Sequence, residues 1–287
     1  MQKKLSLMFT ALALAAGAAQ AADTLTKIKD SGAVTMGVRE SSGALSYTLG
    51  DGKYAGFHVE VCERVLADVK KKLGLAKMDV KYQAVTSQNR IPLVQNGTVD
   101  IECGSTTNNA TRQKDVSFAV TTYMTEVRIA TKVASGITAI AQLKDKNVAT
   151  TTGTTSVQLL RKHERAAGID FKEVFGKDHA DSFLLMESGR ADAFVMDDYI
   201  LAGLIAKAKN PAEFRIVGEP LSLEPIAIMV RKDDPAFKKT VDDSITAMMK
   251  SGELTKILAK YGLQPGEDTK KAWANPNDKP AEDFVKK

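Results

Sequence analysis

The sequence predicts an α/β protein of two lobes joined by two hinge crossovers, and three observations point there. Strand-like and helix-like segments alternate through most of the chain. The alternation passes through two rounds of similar length. Each round closes on the same device, Gln95-Asn96-Gly97-Thr98-Val99-Asp100-Ile101 in the first and Glu187-Ser188-Gly189-Arg190-Ala191-Asp192-Ala193 in the second. In both, a helix stops at glycine and a buried strand opens beside aspartate. Strands alternating with helices form parallel sheets, and such sheets hold ligands beyond the carboxyl ends of their strands.

The first round reads as strand 33–38, helix 57–73, strand 78–84, helix 89–95 and strand 99–103. Val59, Cys62, Leu66, Val69 and Leu73 recur at helical spacing with a polar face opposite. Met78, Val80, Tyr82 and Ala84 alternate as a strand requires. The second round reads as strand 147–151, helix 156–166, strand 171–174, helix 179–188 and strand 191–196. Residues 121–132 read as extended segments leaving the first lobe. A return path follows near 216–224, where Gly218 and Pro220 interrupt the pattern. A strand over 226–231 and helices over 234–250 and 253–260 then complete the first lobe. The expected division is 22–122 for the first part of lobe 1, 123–219 for lobe 2 and 220–287 for the completion of lobe 1. The polar stretch 264–287, with prolines at 265, 276 and 280, reads as partly extended.

The chain has 287 residues and a net charge of +5. Lys3 and Lys4 precede an apolar run from Leu5 to Ala19 that ends in Ala19-Gln20-Ala21. A charged start, a short apolar region and an A-x-A end form a secretory signal peptide, cut after Ala21. The run is shorter than the roughly 20 residues of a membrane span. The mature chain is then 22–287, exported to the periplasm. Removing Lys3 and Lys4 from 40 basic residues leaves 38 against 35 acidic ones, a net +3. So weak a balance gives no reason to expect nucleic acid. Lys70-Lys71-Lys72, Lys238-Lys239 and Lys270-Lys271 read as solvated faces. Cys62 and Cys103 are an even pair in an exported chain, which favours a disulfide; two separately buried thiols are the alternative.

The chemistry concentrates between Thr86 and Arg112. Thr86-Ser87-Gln88-Asn89-Arg90 is followed by Glu102-Cys103-Gly104-Ser105-Thr106-Thr107-Asn108-Asn109-Ala110-Thr111-Arg112. A guanidinium presents a planar fork of donors that fits a carboxylate, and hydroxyls complete a polar shell around a small zwitterion. Each candidate also has a structural reading. Arg39, Arg90 and Arg112 can be surface charges, although Arg90 begins a helix, where a cation meets the positive end of the dipole. Ser87 can simply cap that helix. Thr155 lies in Thr151-Thr152-Gly153-Thr154-Thr155-Ser156 between a strand and a helix, where either capping or anion binding by free amides applies. Asp197 ends an apolar strand, where it suits an ammonium group or caps the next helix. His179, taken alone, reads as an exposed first-turn residue.

Phosphate loops, dinucleotide fingerprints and the Gly-x-Ser-x-Gly elbow are missing from the sequence. His58, His163 and His179 show no metal spacing with the cysteines. No nucleophile with a matching base emerges, so enzymatic chemistry is disfavoured and no cofactor or metal is expected.

With these residues in view, the chain resembles the periplasmic glutamate/aspartate-binding proteins, the substrate-binding components of ABC importers for amino acids (family 3). The resemblance covers essentially the whole mature chain. It is carried by Thr86-Ser87-Gln88-Asn89-Arg90-Ile91-Pro92-Leu93, Glu102-Cys103-Gly104-Ser105-Thr106-Thr107-Asn108-Asn109, Lys177-Asp178-His179-Ala180-Asp181-Ser182-Phe183 and the Glu187–Ala193 segment. It implies a type II periplasmic-binding-protein fold with the ligand shut in the interlobe cleft. It further implies that Arg112 grips the α-carboxylate and Asp197 takes the α-ammonium, with Ser105, Thr107 and Thr155 around those groups. Arg39, Ser87, Arg90 and His179 would hold the side-chain carboxylate. Relatives usually carry Pro-Phe before Ser-Tyr, where this chain has Ala44-Leu45 before Ser46-Tyr47.

The expected function is capture of glutamate or aspartate and delivery to a membrane ABC permease that the protein docks transiently, as a monomer. A receptor for another polar or acidic amino acid or a dicarboxylate is the alternative within binding proteins. An exported small-acid lyase, with His179 or Glu102 as its acid or base, is the alternative outside them. If His179 meets the ligand as imidazolium, affinity should decline as pH rises through its pKa.

Overall fold

The structure is a computed structural model and describes residues 23–281. The expected export leader at 1–21 lies outside the described residues. The chain opens with α1 (Thr24–Ser31) and β1 (Ala33–Val38), followed by a small hairpin sheet of β2 (Ser41–Ser42), β3 (Ser46–Gly50) and β4 (Lys53–Ala55). Then come α2 (Phe57–Lys72), β5 (Asp79–Ala84), α3 (Arg90–Gln95), β6 (Ile101–Glu102), β7 (Val116–Phe118) and β8 (Tyr123–Lys132). The second round supplies β9 (Asn147–Thr151), α4 (Thr155–Ala167), β10 (Lys172–Gly176), α5 (His179–Glu187), β11 (Ala193–Asp197) and α6 (Asp198–Ala206). The chain returns through β12 (Phe214–Ile226) and β13 (Met229–Arg231), and ends in α7 (Pro235–Ser251), α8 (Glu253–Lys260) and α9 (Glu267–Ala274).

Two five-stranded sheets result, ordered β5-β1-β6-β13-β7 and β10-β9-β11-β8-β12. They are mixed rather than purely parallel. The three strands of each βαβ round run parallel, but β13 and β7 join the first sheet antiparallel, as β8 and β12 join the second. The cause is topological: β8 and β12 carry the chain into and out of the second lobe and so run in opposite senses. Their ladder continues from Lys132↔Phe214 to Tyr123↔Ile226, with a register shift between Val217 and Ser222. That ladder is the long element common to both crossings.

The first core is built largely by α2. Val59, Val65, Leu66 and Val69 are buried along one side of it, each contributing roughly 1.5–3 kcal/mol by leaving water. Cys62 on the same face is bonded to Cys103, with Cα atoms 6.4 Å apart. This fastens α2 to the loop that follows β6. Lys70, Lys71 and Lys72 fall in the last turn of α2, where cations complement the helix dipole.

The tail is irregular at 264–266 and 275–280, as a partly extended segment would be, but it also holds a helix. Glu267–Ala274 is a helix, and the chain beyond it straps the crossings. Thr269 Oγ1 accepts from the Met124 amide at 3.0 Å and Trp273 Nε1 donates to the Thr122 carbonyl at 3.0 Å. The Asn277 carbonyl accepts from the Thr121 amide at 2.9 Å. Among the described residues no helix is long and apolar enough to cross a membrane, and no cluster of His, Cys, Asp or Glu could hold a metal ion.

Candidate ligand-binding site

The carboxyl ends of the parallel strands in both sheets meet across one enclosed space. Ser87, Arg90, Ser105, Arg112, Thr154, Thr155, His179, Met196 and Asp197 line one small, tight cavity of about 10 Å3. Seven of the nine candidates from the sequence therefore share one wall system. Arg39 and Thr107 stand one hydrogen bond behind it. Arg39 is fully buried and donates through Nη2 to Ser87 Oγ at 2.9 Å and through Nη1 to Ser105 Oγ at 3.3 Å. Thr107 is reached through its carbonyl, which accepts from Arg112 Nη1 at 2.8 Å.

Local sequence explains why these side chains are free to face the cavity. Ser87 does not cap α3. The turn there is closed by Thr86 and Asn89, with the Thr86 amide donating to Asn89 Oδ1 and the Asn89 amide to Thr86 Oγ1. Asp197 stands at the N-cap position of α6 yet makes no capping bond. Asp198 serves the Tyr199 amide instead, at 2.7 Å, and Asp197 Oδ2 accepts from the Tyr199 hydroxyl at 3.3 Å. Asp178 caps α5, which leaves His179 with its ring turned inward and only 1% exposed. The exposed reading of His179 is thus set aside. Thr155 opens α4, whose N-terminus has no side-chain cap, and both Thr154 and Thr155 line the cavity.

The lobes touch directly through these residues. Arg112 Nη2 donates to the Gly153 carbonyl at 3.2 Å, and the Ala180 amide donates to Ser41 Oγ at 3.0 Å. Gly153, at φ +84°, has no room for a side chain: a Cβ there would lie 2.8 Å from Gln88 Cα and from the Ser87 carbonyl oxygen. Gly43 approaches the Tyr199 carbonyl and Ile200 in the same way. Ala44 and Leu45, the departure from the usual Pro-Phe, are not part of the cavity lining, and Leu45 packs in the core.

The electrostatics are uneven. Burial depresses the Arg90 guanidinium well below the usual range, and repulsion from Arg112 and Arg39 adds to it. Arg90 is 2% exposed, its Nε has no partner, and its bond to the Ser105 carbonyl is 3.5 Å long. Burial likewise lowers Arg112, against the opposing attraction of Glu224. Burial raises the Asp197 carboxyl well above the usual range, with Glu224 and Asp198 pushing the same way. His179 is held neutral by burial and by Arg39 and Arg90. Its Nε2 lies 3.2 Å from Arg39 Nη2, which can only donate, so Nε2 accepts and Nδ1 carries the proton toward Thr151 Oγ1 at 2.9 Å. Contact as imidazolium, the condition that the sequence left open for His179, is thus not the state of the ligand-free site.

Two participants were missed. Glu224 on β12 is 3% exposed and accepts from Thr107 Oγ1 at 2.6 Å and Thr155 Oγ1 at 2.8 Å. Tyr199, on α6, sits against Asp197. Neither lies in a motif; the only signal at Glu224 was an acidic residue between Leu223 and Pro225 near the end of the return strand.

Comparison with known proteins agrees with this arrangement. The family model for bacterial extracellular solute-binding proteins, family 3, matches residues 34–264. The L-glutamate/L-aspartate-binding protein of Pseudomonas aeruginosa is 46% identical over 273 residues, covering 90% of each chain. The glutamate/aspartate import solute-binding protein of Escherichia coli K12 is 44% identical over 288 residues, covering 94% of this chain and 95% of its own. Among solved structures, a solute receptor for L-cysteine from Neisseria gonorrhoeae superposes with a TM-score of 0.72 at 27% identity, covering 84% of this chain and 93% of that one. With its two lobes, its closed cleft and these matches, the chain belongs to family 3 of the bacterial extracellular solute-binding proteins.

Proposed function

We propose that the protein captures L-glutamate or L-aspartate in the cleft and delivers it to the permease of an ABC importer. It is a binding protein and not an enzyme, as its family is. The observation that carries the ligand assignment is Arg90, a buried guanidinium with an unbonded Nε whose nearest strong influences are two further arginines. A side-chain carboxylate would supply the missing counter-charge. Asp197 at the far side of the lining suits the α-ammonium, and Arg112 with the free amides of α4 suits the α-carboxylate. Ser87, Ser105 and His179 complete the shell, with Arg39 holding the two serines from behind. The names of the Pseudomonas and Escherichia relatives support the same ligand pair.

In this reading the protein is exported to the periplasm after cleavage at Ala21, works as a monomer and docks its permease transiently. Residues 22–122 and 220–287 form one lobe and 123–219 the other. They move about the β8 and β12 crossings, and only the closed state satisfies every charge on the ligand. Calorimetric titration tests the assignment. Glutamate and aspartate should bind, whereas glutamine should bind at least 30-fold more weakly, because its amide leaves a buried guanidinium unpaired at a cost of about 2–5 kcal/mol. Comparable affinity for glutamine and glutamate would overturn it. Since His179 is neutral in the ligand-free site, His179→Gln should leave the pH dependence of glutamate affinity between pH 5 and 8 as it is in the parent.

A further inference from the structure

Glu224 receives one site hydroxyl from each side of the cleft on a single oxygen. Thr107, in the loop after β6, and Thr155, at the start of α4, both donate to its Oε2, at 2.6 and 2.8 Å. Its other oxygen accepts from Ser222 Oγ at 3.1 Å. The carboxylate is fixed from below as well, because Glu224 pairs with Thr125 in the β8–β12 ladder. It is 3% exposed and close enough to influence both Arg112 and Asp197.

A threonine hydroxyl has one proton and two lone pairs. A carboxylate has no proton to give, so the direction of both bonds is settled: each threonine spends its only proton on Glu224. Thr155 lines the cavity and Thr107 stands directly behind that lining, so what their hydroxyls can still offer there is a lone pair. Lone pairs repel a carboxylate and accept from an ammonium. From this juxtaposition we propose that Glu224 is a positioning residue that turns Thr107 and Thr155 into acceptors and so makes the cleft select ligands that carry an α-ammonium. The inference rests on the amino-acid reading given above. It assigns Asp197 a helper of opposite construction: Asp197 faces the ammonium as a charge, whereas Glu224 acts through two hydroxyls, one per lobe. It also separates the work at the opening of α4. The free amides there remain the donors for the ligand's α-carboxylate, and the Thr155 hydroxyl does not compete with them for it.

The test compares L-glutamate with glutarate, which has both carboxylates and no ammonium, by competition titration on wild type, Glu224→Ala and Glu224→Gln. Wild type should strongly favour glutamate. In Glu224→Ala the two hydroxyls regain free protons, glutamate binding weakens, and glutarate holds or improves, so the preference should fall at least tenfold. In Glu224→Gln the amide oxygen can still accept from both threonines while its NH2 faces Ser222, and the preference should stay within threefold of wild type. A preference unchanged in Glu224→Ala, a parallel loss of both ligands, or an equal fall in Glu224→Gln would each overturn the proposal. Should Glu224→Ala lack a cooperative melting transition, Thr155→Val takes its place. It should cost glutamate more than glutarate, and an equal loss overturns the proposal. Failure of wild type to bind glutamate or aspartate at all would instead overturn the amino-acid reading.

Discussion

Replacing Arg90 by methionine should make the ligand-free protein more stable and nearly unable to bind. Arg90 is 2% exposed, its Nε is unpartnered, and its bond to the Ser105 carbonyl spans 3.5 Å. The largest influence on it is burial, followed by repulsion from Arg112 and Arg39; Glu102 and Asp197 return only part of that. A buried ion costs several kcal/mol after relaxation, and exchanging buried charges for packed apolar groups often stabilises by about 1–4 kcal/mol. A net gain of about 1–3 kcal/mol for Arg90→Met follows. In a chain of this size each kcal/mol moves Tm by roughly 2–4 °C, so the ligand-free Tm should rise by roughly 2–12 °C. In the complex the same change strips the ligand's carboxylate of its charged partner. That loss, about 2–5 kcal/mol, corresponds to a roughly 30- to 4,000-fold weaker Kd. Scanning calorimetry on protein freed of ligand by unfolding and refolding reads the first effect, and titration calorimetry with glutamate reads the second. A ligand-free variant that melts below the parent, or a Kd within threefold of it, refutes the reasoning.

Gly153→Ala should weaken ligand binding at least tenfold while the protein still folds. Positive-φ strain burdens open and closed states alike, but the 2.8 Å approach to Ser87 and Gln88 exists only when the lobes meet; unchanged affinity by calorimetry would show that closure does not need this contact. Removing the Cys62–Cys103 bond, which spans 41 residues, should cost about 4 kcal/mol on the chain-entropy account, read as a shift in the urea midpoint of the Cys62→Ser/Cys103→Ser protein. His58 provides a pH signature. It is fully buried, with Nδ1 donating to the Gly104 carbonyl, and burial lowers its pKa to about 4. Its folded pKa lies below the unfolded value near 6.5, so the unfolded chain takes up the proton first. The stability this group contributes is full above about pH 6.5 and is lost as pH falls toward about 4. Between pH 7 and 4.5 that amounts to roughly 2–3 kcal/mol. Denaturation of His58→Gln over the same range should lack that part of the slope, and an identical slope would refute the assignment.

Much of the fold was legible because it rests on local patterns. The spacing of Val59, Cys62, Leu66 and Val69 gave α2 to within a residue, and β1, β9 and α8 lie where periodicity put them. The elements that escaped lack such a pattern. A helix after Asp197 was foreseen but its extent was not, because Asp198–Ala206 is apolar on nearly every side and shows no helical alternation of polar and apolar residues. The Glu267–Ala274 helix fails for the opposite reason: it is short and mostly charged, and it holds its place through Thr269 and Trp273 against the crossings, contacts over 140 residues away in sequence. The antiparallel placing of β13 and β7 was hidden because it depends on where a chain returns after a long excursion, and no local spacing records that.

The site divides along the same line. Residue types that recognise a carboxylate stand out in a sequence, so Ser87, Arg90, Ser105 and Arg112 could be picked from the segment that holds them. Protonation and hydrogen-bond direction could not, because they belong to pairs. His179 is neutral because burial disfavours its charge and Arg39, 140 residues earlier, points a donor at its Nε2. Thr107 and Thr155 look like donors to a carboxylate when read singly. They become acceptors once Glu224, 117 and 69 residues further on, takes both their protons. A binding site of this kind is therefore specified twice. The chain sets which groups line the cleft, and the fold then sets the sign that each of them presents to the ligand. Glutamate and glutarate carry the same two carboxylates, so they are told apart at both levels: by the charge of Asp197, which the chain supplies, and by the direction of the two threonine hydroxyls, which the fold supplies.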